Sequence, residues 1–98
     1  MAVPAARIGD MCIVHCSLPV VGSGSPNVLV NSIPASRVGD AIVPHLRPGG
    51  DKCVIHSTVI GSGSATVFIN SIPAAHVGSA LVACTSIAQG SPNVFYGV

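Results

Sequence analysis

The chain has 98 residues and a formal net charge of +1, and only 7% of its residues are charged, against about a quarter in ordinary soluble domains. This length allows one domain spanning residues 1–98, and the near-neutral charge excludes a nucleic acid or an anionic membrane surface as an electrostatically held partner. A domain this short buries a limited share of its surface, so a metal, disulfides or a partner often makes up the deficit.

Val, Ile and Ala dominate the apolar residues, Trp is absent, and 11 Gly and 8 Pro interrupt the chain. Small and β-branched side chains between frequent breakers predict short strands and an all-β fold. No apolar spacing of three and four residues continues long enough for a helix. The opening MAVPAARIGD has no apolar core segment and contains Arg7 and Asp10, so it does not read as a signal peptide, and synthesis in the cytoplasm is expected. Apolar runs stop far short of the 18 residues or more of a spanning helix.

Along the chain, one unit recurs. Residues 22–40 read GSGSPNVLVNSIPASRVGD, and residues 61–79 read GSGSATVFINSIPAAHVGS. A third copy is split between the ends, with GSPNVFYGV at 90–98 as its first half and MAVPAARIGD at 1–10 as its second. Within each unit, NVLVNSI, TVFINSI and the shorter NVFYGV are expected as strands and the Gly-Ser segments as turns. RVGD and RIGD are expected as short extended pieces leading into variable loops. A split unit fits a closed ring better than a linear solenoid, because the last strand then lies beside the first and leaves no open edge. The predicted architecture is therefore a pseudo-threefold ring or cone.

Five residues beyond the end of each unit stand His15, His45 and Cys84. Threefold closure would bring these equivalent positions together near the axis. The longer second unit carries an insertion, PHLRPGGDKCVIHSTVI, which adds His56. Three imidazoles and one thiolate make a closed tetrahedral donor set for zinc, with no position left for a catalytic water. A structural site is thus expected, tying distant segments together. His76 stands where the other units have Arg7 and Arg37 and is read as a structural substitution. Cys12 and Cys16 are read as small buried thiols, with a local second metal site beside His15 as the alternative. Cys53, in the insertion, is an alternative to His56 as fourth ligand.

PAARIGD at 4–10, PASRVGD at 34–40 and PAAHVGS at 73–79, with GSPNV at 24–28 and 90–94, resemble the PAAR-repeat family over essentially the whole chain. The resemblance implies a sharp β-cone with a metal, usually zinc, held near its point by three His and one Cys, with iron as the alternative ion for this chain. On this sequence the family pattern selects His15, His45, His56 and Cys84, the set already chosen by register. It also implies docking, one tip per trimer, on a homotrimeric β-helical spike, either VgrG of type VI secretion or the central spike of a contractile phage tail. The tip would sharpen that spike for penetration of a target membrane, and effector proteins are further partners of the family. Localisation would follow the machine, at the spike tip and then the target cell or the virion tail. His76 and Ser79 depart from the usual Arg and Asp of the motif. With PAARIGD starting at residue 4 and NVFYGV ending at 98, no attached effector domain is expected, and the chain is read as a structural protein and not an enzyme. Only Asp10, Asp40 and Asp51 are acidic, too few to suggest a hydrolytic acid–base pair. The remaining alternative is a metal-stabilised β-solenoid binding or adhesion module without a spike partner.

Overall fold

The computed structural model describes residues 2–14 and 16–97. Eight strands occur in the order β1 (Ala2–Pro4), β2 (Leu29–Val30), β3 (Ile33–Pro34), β4 (Ala41–Gly49), β5 (Lys52–Val59), β6 (Phe68–Ile69), β7 (Ile72–Pro73) and β8 (Phe95–Gly97). They form four antiparallel pairs, β1 with β8, β2 with β3, β4 with β5, and β6 with β7. No helix occurs among the described residues, and none is long and apolar enough to cross a membrane.

Three of the pairs are copies of one hairpin. Leu29 pairs with Pro34 and Val30 with Ile33, Phe68 with Pro73 and Ile69 with Ile72, and Phe95 with Pro4 and Tyr96 with Val3. The third copy therefore joins the two ends of the chain, as the split repeat predicts. One expectation fails locally. Asn31 and Ser32, expected inside a strand, both have positive φ (55° and 64°), as do Asn70 and Ser71 (53° and 65°). Two consecutive left-handed residues make a type I′ hairpin turn, which matches strand twist and favours Asn at its first position. Each Asn-Ser pair is thus a turn between two short strands.

Closure is seen directly in the hydrogen bonds. Ala6 N donates to Ala75 O at 3.1 Å, Ala75 N to Ser36 O at 3.0 Å, and Ser36 N to Ala6 O at 3.0 Å. These three equivalent residues are fully buried and bond in a cycle around the pseudo-threefold axis. A second cycle repeats the logic, with Ile8 N to Pro34 O, Val38 N to Pro73 O and Val77 N to Pro4 O at 3.0–3.1 Å. The RVGD segments, expected to be extended, are tight turns instead. Asp40 N donates to Arg37 O at 3.0 Å, and Gly39 at φ 90° occupies the left-handed third position that glycine tolerates.

Repeat symmetry also organises the core. Ala5, Ala35 and Ala74 are buried with Val30 and Ile69 towards the hairpin end. Beyond the ring of Ala6, Ser36 and Ala75, a second cluster holds Cys12, Ile42 and Leu81, which are equivalent, and Val21, Ile60 and Ile87, also equivalent. Thin layers need close backbone approach: a Cβ on Gly63 would lie 2.6 Å from Ala74 O, and the equivalent Gly24 and Gly90 meet Ala35 O and Ala5 O at 2.8 and 2.7 Å.

Above this stack the second unit departs from the others. Its insertion, expected as a loop, forms the long hairpin β4–β5, turning at Gly50 and Asp51 with Gly49 opposite Lys52. Gly50 has φ 72°, as the first central residue of a type II′ turn requires. The hairpin contributes to an elongated Cα envelope of 40 × 26 × 23 Å. It also carries two of the expected ligands.

Candidate metal centre

His45 lies on β4 directly opposite His56 on β5. The strand alternation that buries Ile42 would leave a residue three positions on at the outer face. A register shift between Ile42 and His45 removes this conflict. The extra residue is accommodated at Val43–Pro44, where Pro44 has no N–H to lose from the ladder. Ile42 and His45 therefore both face inward, 2% and 5% exposed.

Cys84 reaches the same place from the third unit. A turn at Val82–Ala83 is closed by Leu81 N to Thr85 O at 2.9 Å and Cys84 N to Leu81 O at 3.3 Å. Ala83 takes φ 48° there, a left-handed conformation that costs an alanine about 1–2 kcal/mol. The thiol of Cys84 packs on the upper core cluster.

The three side chains converge. Cys84 Sγ lies 3.4 Å from His45 Nε2, the His45 and His56 rings meet edge to face at 5.1 Å between centroids, and one donor atom from each of the three residues lies within 4.8 Å of the others. His45 Nδ1 lies 2.9 Å from Val43 O. A carbonyl only accepts, so Nδ1 carries the proton and the Nε2 lone pair faces the cluster, the usual arrangement of a ligating imidazole held by an outer partner. Bonds of about 2.0–2.3 Å to N and S place tetrahedral donors roughly 3.3–3.8 Å apart, so the His45–Cys84 spacing already suits a shared ion. Two imidazoles and a thiol with donor atoms within 4.8 Å of one another fit a metal, and His45, His56 and Cys84 are close enough to bind one. His15, the other expected ligand, lies outside the described residues.

The remaining cysteines correct part of the sequence expectation. Cys12 is buried as expected, in the register of Ile42 and Leu81. Burial foremost, with the nearby Cys84 and Asp10 adding to it, pushes its thiol up to about 11, so it stays protonated and apolar at neutral pH. Cys16 and Cys53 are neither reduced nor available as ligands: they are exposed and joined in a disulfide with Cα atoms 5.9 Å apart. The alternatives of a second metal site at Cys12 and Cys16, and of Cys53 in place of His56, both fall with that bond. Two odd cysteines with no counterpart in the repeat were the available signal for it.

His76 does act as a structural replacement. Arg7 and Arg37 each bind the Asp three residues on through two side-chain nitrogens and the backbone N–H, and each reaches an Asn of the next unit, Asn31 or Asn70, at 3.0 Å. In the third unit His76 N donates to Ser79 Oγ at 3.0 Å, and the ring Nδ1 lies 2.8 Å from Val77 O.

No curated protein matches the chain. A family model described as the PAAR motif matches residues 49–97, half of the sequence, including His56, Cys84 and the repeat copy at 61–79. With the closed three-unit ring and the His/Cys cluster above it, that match shows that the chain belongs to the PAAR-motif family.

Proposed function

We propose that this chain is the tip of a contractile injection machine, seated one per trimer on a β-helical spike such as VgrG or a phage central spike, and stapled by a structural zinc ion. The observation that carries this reading is the threefold set Leu29, Phe68 and Phe95. These equivalent residues come one from each unit on β2, β6 and β8 and are 57%, 56% and 53% exposed. Large apolar side chains repeated about an axis on a sparsely charged chain match a partner of the same symmetry. At the other end, His45, His56 and Cys84 gather beyond the last core layer.

Zinc suits the imidazole and thiolate donors, with iron as the competing ion. His15 completes the set. Its chain neighbours support this: Ile13 O accepts from Thr85 Oγ1 at 2.7 Å, beside Cys84, and Cys16 N donates to Leu46 O at 3.2 Å, beside His45. Ile13 and Cys16 are thus each anchored next to a residue of the His45, His56 and Cys84 cluster. The ion's role is mechanical, since it cross-links all three units where apolar packing has ended.

The test is native mass spectrometry of the chain mixed with a purified trimeric spike, at low and high salt. One chain per trimer, unaffected by salt and lost when Leu29, Phe68 and Phe95 are together replaced by Ser, is the expected result. A 3:1 ratio, or binding that the triple replacement leaves intact, would overturn the proposal.

A further inference from the structure

The disulfide between Cys16 and Cys53 has no counterpart in the repeat, and it links the segment that follows His15 in the chain to the hairpin that carries His45 and His56. Cys16 begins the stretch that lies along β4. Its N–H and that of Ser17 both donate to Leu46 O, at 3.2 and 3.3 Å, and Leu46 N donates to Ser17 Oγ at 2.8 Å. Cys53 stands on the other strand of the hairpin, opposite Pro48 and three residues before His56. The segment 16–17 is therefore hydrogen-bonded to β4 and covalently bonded to β5. Near the free end of the hairpin there is little else to hold it, for Val54 and Ile55 are 39% and 73% exposed.

Both sulfur-bearing residues are exposed, unlike Cys12, which is buried, and Cys84, which packs on the core. The four cysteines thus divide into an inner pair with packing and ligand roles and an outer pair open to small thiols and disulfides in solution.

We propose that Cys16 and Cys53 form a redox-dependent clasp that closes on exposure to a low-molecular-weight disulfide and fixes the metal-bearing hairpin to the segment following His15. The oxidant is of the glutathione disulfide class. One cysteine attacks it, forming a mixed disulfide and releasing one glutathione. The second cysteine then displaces the other glutathione and the protein disulfide forms. Two protein thiols are oxidised, one glutathione disulfide is reduced to two glutathione thiols, and the two cysteine protons pass to those thiols. Reduction by a small thiol runs the same exchange backwards and frees the hairpin on its β5 side.

The experiment holds the metal-loaded full chain in glutathione buffers of graded ratio, traps thiols with a maleimide, and locates them by mass spectrometry. Hydrogen exchange of residues 41–59 and the rate of metal loss to a chelator are followed in the same buffers. A single transition is expected in which Cys16 and Cys53 become protected together. Across it, hairpin exchange should slow by about tenfold or more, and metal loss should slow with it. The C16S/C53S variant should behave as the reduced form at every ratio. Labelling of Cys16 and Cys53 in fully oxidised protein, or hairpin exchange that is the same on both sides of the transition, would overturn the clasp. The metal readout alone rests on His15 as the fourth ligand. Exchange that changes while metal loss does not would therefore uphold the clasp and refute that ligand.

Discussion

The Arg–Asp turns offer a test in which the protein supplies its own control. In the second unit the Asp40 carboxylate accepts from Arg37 N at 2.7 Å, Arg37 Nε at 3.0 Å and Arg37 Nη2 at 3.0 Å, and from Ser23 Oγ at 3.2 Å. Asp40 is 7% exposed. Replacing it by Ala strands a backbone N–H and removes the counter-charge of Arg37, whose side chain is 16% exposed. A stranded buried donor costs about 1–3 kcal/mol, and a hydrogen bond to a charged group contributes a similar amount. The exposed part of the guanidinium rehydrates, which discounts the ionic share. About 3 kcal/mol is the expected loss for Asp40→Ala.

Asp40→Ser should cost less, because the third unit shows the arrangement already. There Ser79 Oγ accepts the equivalent N–H of His76 at 3.0 Å. The serine restores that bond and forfeits only the ionic part, leaving a loss of about 1.5 kcal/mol. For a domain of this size about 1 kcal/mol moves the midpoint by about 4–8 °C. Thermal melts of the two metal-loaded variants should therefore differ by about 6–12 °C, with Ser the higher. If Asp40→Ser melts as low as Asp40→Ala, the backbone N–H is not what the acid secures, and the equivalence of the three turns is wrong in energetic terms.

Other changes follow from the same symmetry. Ser36 Oγ is buried with no hydrogen-bond partner among the described residues, at the position occupied by Ala6 and Ala75, so Ser36→Ala should raise stability by about 1 kcal/mol in a denaturant titration. Ala83→Gly should stabilise the metal-free chain by up to about 1 kcal/mol by relieving the left-handed alanine, and an equal or lower melt would locate no strain there. Removing the metal with a strong chelator should lower the midpoint by roughly 10–20 °C if free metal had stood near 100 times its dissociation constant. Elemental analysis should then report one equivalent lost, and His45→Ala should abolish its uptake.

The repeat was legible because it rests on identities at fixed spacing, and the same spacing singled out His45 and Cys84, five residues beyond Asp40 and Ser79, which the structure brings together. Features without that periodic support were harder to read. Asn31–Ser32 lies within a run of strand-forming residues, and only the left-handed tolerance of Asn distinguishes a I′ turn from a strand interior. In the RVGD turns the glycine was visible, but the backbone N–H caught by Asp40 was not. The β4–β5 hairpin had a sequence cue in Gly50–Asp51, a pair suited to a two-residue turn. Its bulge at Val43–Pro44 depends on where Ile42 and His45 must both point, which only the folded core decides. The pairing of Cys16 with Cys53 joins positions 37 residues apart, and separation along the chain carries no information about it.

The departures of the third unit are one change and not three. Arg7 and Arg37 extend past their own Asp to the Asn of the following unit, Asn31 and Asn70. Those Asn residues also accept from Ser91 and Ser25, at 2.6 and 2.7 Å. The unit that follows His76 is the one divided between the chain ends, and it has Gly97 where the others have Asn. Ser64 Oγ there donates to the backbone carbonyl of Gly97 at 2.8 Å. With no Asn side chain to reach, a long guanidinium at position 76 would lose its outer partner, and without that arginine a carboxylate at 79 would lack its counter-charge. The Asp is then more costly than a serine that still accepts the same N–H. Cutting the ring within one hairpin accounts for Gly97, His76 and Ser79 together. It also places a break in these outer polar contacts where β1 and β8, from opposite ends of the chain, pair.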